Sequence, residues 1–83
     1  MSIPKEWLQR KNTVADVEAG FAQEPPVGRW IEDWQALVSD MHPGDELWEY
    51  CSPLESWQHL AGRAGYAVVR EGEIVYGILT MMN

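Results

Sequence analysis

Eighty-three residues with 46% hydrophobic side chains and a net charge of −7 describe one small acidic domain rather than two domains or a disordered chain. The charge argues against direct binding to a nucleic-acid backbone, which needs a basic footprint. No apolar run approaches membrane-spanning length, and a single cysteine excludes an internal disulfide.

The opening Met-Ser-Ile-Pro-Lys-Glu lacks the apolar run of a signal peptide, so the chain reads as soluble and cytoplasmic. Residues 3–9 predict a short helix or turn, with Pro4 at its start and Trp7-Leu8 as an apolar anchor. Asn12-Thr13 interrupts it. Thr13 then suits the N-cap of a second helix, with Asp16 near the positive N-terminal end. Val14, Val17 and Phe21 form that helix's buried stripe, and Pro25-Pro26 closes it. One helix through both segments is the alternative. Residues 28–41 give the clearest helix: Trp30, Ile31, Trp34, Leu37, Val38 and Met41 recur on one face, with Glu32, Asp33 and Asp40 opposite. Trp30 and Trp34 are most simply core.

Residues 44–82 read as strand, helix, strand, tight turn, strand. In the first strand Trp48 and Tyr50 share one side, and Leu47 and Cys51 the other. Ser52-Pro53-Leu54-Glu55 matches a capping box, with Ser52 as N-cap of a helix running to Gly62 or Gly65. Leu54, Trp57, Leu60, Ala61 and Ala64 are its apolar stripe. Glu71-Gly72 suits a two-residue hairpin turn. It sets Arg70 opposite Glu73, Val69 opposite Ile74 and Tyr66 opposite Gly77, an aromatic ring over bare backbone. The last strand is then apolar on both faces, with Ile74, Tyr76 and Ile78 on one and Val75, Leu79 and Met81 on the other. Such a strand needs cover on both sides, and a homodimer is one way to provide it.

The expected architecture is α+β: residues 1–43 as helical cover, and residues 44–83 as a β-α-β-β unit with three strands. The helix between the first two strands is long enough for them to run parallel, and strand order stays open. Residues 45–52 as an irregular loop is the alternative. The runs Gly-Asp-Glu-Leu-Trp-Glu-Tyr, Ser-Pro-Leu-Glu-Ser-Trp and Leu-Ala-Gly-Arg-Ala-Gly-Tyr-Ala-Val-Val-Arg resemble a segment of small uncharacterised bacterial proteins. The resemblance covers residues 44–75 and carries neither an activity nor a functional residue.

No catalytic, cofactor or metal motif stands out. His42, Cys51 and His59 match no zinc spacing, and Cys51 in a strand reads as a buried inert thiol. Glu55 and His59 form a helix-surface pair, and Asp45, Glu46 and Glu49 lack calcium-loop spacing. The charge is uneven, however: residues 14–50 hold nine acids against Arg29, a net of −8. This band points to a non-enzymatic interaction module, of the inhibitor, immunity or regulatory type, that engages a basic protein and in one version mimics a nucleic acid. Glu32, Asp33, Asp40, Asp45, Glu46 and Glu49 are its candidate contacts. Two other readings stay open: acids that serve solubility alone, and a tryptophan-rich pocket for a small molecule or peptide.

Overall fold

The computed structural model describes residues 2–83. Four strands, β1 (Leu8–Asn12), β2 (Glu46–Cys51), β3 (Arg63–Arg70) and β4 (Glu73–Met82), form one antiparallel sheet in the order β1-β2-β3-β4. Helices α1 (Val14–Gly20) and α2 (Trp30–Asp40) lie between β1 and β2, and the short α3 (Leu54–Gln58) between β2 and β3. The α+β class stands, but the sheet has four strands, not three. β2 and β3 run antiparallel, which corrects the parallel crossover.

Residues 5–7 form the expected short turn, a 3₁₀ segment, and the chain then extends into β1, a strand within the stretch expected to be helical cover. Leu-Gln-Arg-Lys-Asn has no apolar alternation to mark it as a strand. Cross-strand ion pairs supply the pairing preference instead. Thr13 caps α1 as its side chain predicts, its hydroxyl accepting the Asp16 N–H at 3.1 Å.

One face of the sheet carries α1 and α2. Val17, Trp34, Leu37, Leu47, Val68 and Ile78 are buried together there, flanked by Phe21, Trp30, Tyr66 and Tyr76. Trp34 is 1% exposed. Its ring meets Phe21 and Tyr66 edge-on, with centroids 6.0 and 5.2 Å away, and its indole N–H donates to Glu18 at 3.0 Å. Burial removes about 25 cal/mol per Å² of apolar surface from water, so this ring is the largest single contributor to the layer. The α2 stripe is as its periodicity predicts. The helix leaves through His42-Pro43-Gly44-Asp45, a turn with Pro at its second position and Gly44 at φ 91° in its third, closed by Asp45 N–H to His42 C=O at 3.0 Å.

The opposite face is covered by the N-terminal segment, extended at Pro4 and turning through residues 5–7. Trp7 stacks on Tyr50, and the Ile3 side chain fills the space a Cβ on Gly77 would need. Tyr50 lies beneath Gly65, and its hydroxyl donates to the Ile78 carbonyl at 2.9 Å. A Cβ on Gly65 would collide with that carbonyl.

The hairpin turn is as read: Glu71 (φ 52°) and Gly72 (φ 81°) are both left-handed, and Arg70 faces Glu73. Two bulges on β4, at Val75 and Thr80, shift the register. Gly77 therefore faces Ala67, and Tyr66 faces Ile78, correcting the Tyr66–Gly77 pair. The Val75 bulge also moves Ile74 onto the face of Gly77 and Leu79, while Tyr76 and Ile78 face the helices.

Ser52 does not cap α3. Pro53 occupies the N-cap position without a side-chain bond. The Ser52 hydroxyl accepts the Arg63 N–H at 2.9 Å and bonds the Ser56 hydroxyl at 2.6 Å. Ser56 in turn donates to the Pro53 carbonyl, so Ser52 is the donor of the pair. The helix ends early because Leu60 turns left-handed at φ 59°. Leu60 N–H then reaches Trp57 C=O, and Ala61 N–H reaches Ser56 C=O, the Schellman arrangement. Ala64, expected on the helix, pairs in β3 instead.

Candidate functional site

The six candidate acids separate into two groups. Asp45 lies between α2 and β2, and its carboxylate takes two bonds from Arg70, at 2.9 and 2.8 Å, plus the His42 N–H at 2.8 Å. Its side chain is 2% exposed. The Arg70 guanidinium, aided by that backbone N–H, pulls its pKa down to about 2. Glu46 accepts the Trp48 indole N–H and Lys11, which lower its pKa in that order. Glu49 pairs with Arg10 at 2.7 Å and also accepts from Asn12. The two glutamates link β1 to β2, and Asp45 links the α2 exit to the β3–β4 hairpin.

Glu32, Asp33 and Asp40 stand on the solvent side of α2, all exposed. Asp16, Glu18 and Glu24 join them from α1 and the connector. Among the described residues, the salt bridges engage Lys5, Arg10, Lys11 and Arg70 with Glu73, Glu49, Glu46 and Asp45, and none reaches the helical layer. Residues 14–41 thus hold six acids against Arg29, a net of −5 of the chain's −7. The sheet is internally neutralised; the helical layer is not.

The sequence grouped Asp45, Glu46 and Glu49 with the free acids because β1 was not legible as a strand. The available signal was the run Arg10-Lys11, whose opposite charge suits a strand carrying Glu46 and Glu49. Asp16, Glu18 and Glu24 belonged to the same acidic band but were not singled out.

Other chemical arrangements are sparse. Among the described residues no group of three or more His, Cys, Asp or Glu is placed to hold a metal ion. His42 and His59 are exposed, and Cys51 is half-buried. A cleft of about 470 Å³ beside Cys51 is lined by Glu6, Trp7, Gln9, Ser52, Pro53 and Leu54, with one tryptophan in its wall. Trp30 and Trp34 pack into the helical core instead. No helix among the described residues is long and apolar enough to cross a membrane. Comparison with protein-family models, curated proteins and solved structures finds no match, so the functional reading rests on the chemistry of this surface.

Proposed function

We propose that the protein is a non-enzymatic interaction module whose acidic helical layer docks on a basic protein surface. The observation that carries the reading is the segregation of charge: the acids of the sheet are paired within the chain, while those of α1 and α2 face solvent. An unpaired acidic layer on a rigid two-helix platform steers encounter with cations. Glu32, Asp33 and Asp40 are the leading contacts, because α2 is anchored by Trp34 and Leu37 and presents them without rearrangement. A nucleic-acid-binding groove is one basic surface that fits, and an inhibitor or immunity role has the same chemistry.

The test is affinity capture from native extract, with the chain compared with its Glu32→Lys, Asp33→Lys, Asp40→Lys variant at low and high salt. The expected result is a stoichiometric basic partner retained by the parent chain, released by salt and absent from the variant. Equal recovery on both, or none on either, would leave the acids with solubility alone.

A further inference from the structure

The two edges of the sheet are built differently. β1 is five residues long, bulged between Leu8 and Arg10, and carries Arg10 and Lys11 on exposed side chains. Short length and charge are the devices that keep this edge from pairing, whereas bulges occur on both edge strands and do not separate them. β4 is ten residues long, and its one charged residue, Glu73, sits at its very start. Its outer backbone groups have no partner among the described residues. Apolar side chains stay exposed along it: Val75 at 43%, Met81 at 61% and Met82 at 58%. The far end is fixed as well, since the Asn83 amide donates to Trp57 C=O and accepts the Gly62 N–H.

We propose that the β4 edge pairs with the β4 edge of a second copy, antiparallel across a two-fold axis at Ile78, joining two sheets into one of eight strands. Two features select a second copy over an arbitrary strand. That axis sets exposed Val75 opposite Met81 of the second copy, covering apolar side chains that the single chain leaves in water. The antiparallel sense also keeps the two Glu73 carboxylates roughly 30 Å apart, the length of a ten-residue strand. Pairing β4 on β1 would instead give an open, growing array, which the charged β1 edge opposes. The proposal is independent of the acidic layer, which belongs to the helical surface.

Sedimentation equilibrium from 1 to about 100 µM, together with amide hydrogen exchange, tests it. The parent chain should reach twice 9.5 kDa, with slow exchange at alternate β4 amides at the upper concentrations only. Val75→Lys with Met81→Lys sets like charges opposite one another at exposed positions, and should halve the mass while leaving circular dichroism unchanged. A parent mass of 9.5 kDa at every concentration overturns the proposal. So does a dimer that survives both lysines, or growth beyond two copies. Should the variant misfold, the concentration dependence of β4 exchange in the parent chain still decides.

Discussion

The two faces of the sheet are covered in opposite ways. One carries two amphipathic helices, and its core is large, aromatic and contiguous. The other carries the N-terminal segment, with Ile3 against Gly77, Trp7 stacked on Tyr50, and Tyr50 against Gly65. Helical cover tolerates variation at its margins, because many side chains share the burial. The N-terminal cover depends on single close approaches, so small changes in size matter more there. This contrast defines where the molecule should break.

The largest effect belongs to the helical face. Trp34→Ala removes the ring between Phe21 and Tyr66 and leaves a cavity under two helices, so it should cost about 3–5 kcal/mol. A urea melt followed by far-UV circular dichroism measures it. A loss below about 1 kcal/mol would mean that α2 is a peripheral element and not the anchor of that face.

On the other face the smallest possible addition should approach that cost. Gly65→Ala places a methyl group against the Ile78 carbonyl and the Tyr50 ring. One of these must move, and neither is the free end of a flexible chain. We expect about 3 kcal/mol from overpacking, with the Tyr50–Ile78 bond lost. Ala at Gly20, where nothing lies nearby, is the control and should be neutral or slightly stabilising in its helix.

The two faces differ in how far the sequence exposes them. The α2 stripe, the Thr13 cap and the Glu71-Gly72 turn were legible because each is a local pattern: a 3.6-residue period, a hydroxyl three residues before its N–H, a left-handed pair closing a hairpin. β1 was not legible, because its pairing depends on Glu46 and Glu49 more than thirty residues away. The Val75 bulge, which redirects half of β4, has no local signature at all. Ser52 matched a capping box, yet the Arg63 backbone competed successfully for its hydroxyl. The candidate acids divide in the same way: those on α2 could be placed from the helix period, whereas the pairing of those on β2 follows from tertiary contacts alone.

The helical face has a pH-dependent fastening at its rim. Asp45, clamped by Arg70 and the His42 N–H, has its pKa lowered to about 2, below the unfolded value near 4. A depressed carboxylate contributes stability that is complete above its unfolded pKa and is lost as pH falls through its folded one. The urea midpoint should therefore drop between about pH 4 and pH 2. Asp45→Asn should remove that part of the slope while lowering the midpoint at pH 7. If both chains show the same acid profile, other carboxylates govern acid unfolding and the Arg70 clamp contributes little.

The smallest expected effect has the opposite sign and lies at the end of α3, where Leu60 sits left-handed and 77% exposed. A left-handed conformation costs a residue with a Cβ roughly 1–2 kcal/mol, and glycine is the usual occupant of that position in a Schellman motif. The leucine side chain gains nothing in return within the chain, since it stands in solvent. Leu60→Gly relieves the strain but gives the unfolded chain more freedom, which takes back about 0.4–1 kcal/mol. The net should be a stabilisation of about 0.5–1 kcal/mol, read as a higher urea midpoint at unchanged slope. The same substitution at Leu37, buried beneath α2, removes packing and a helix former together and should destabilise strongly. The contrast separates a leucine held by its neighbours from one held only by its backbone hydrogen bonds. Destabilisation by Leu60→Gly would show that the Leu60 side chain is buried in solution after all, and concentration dependence of that loss would place it in a contact between chains.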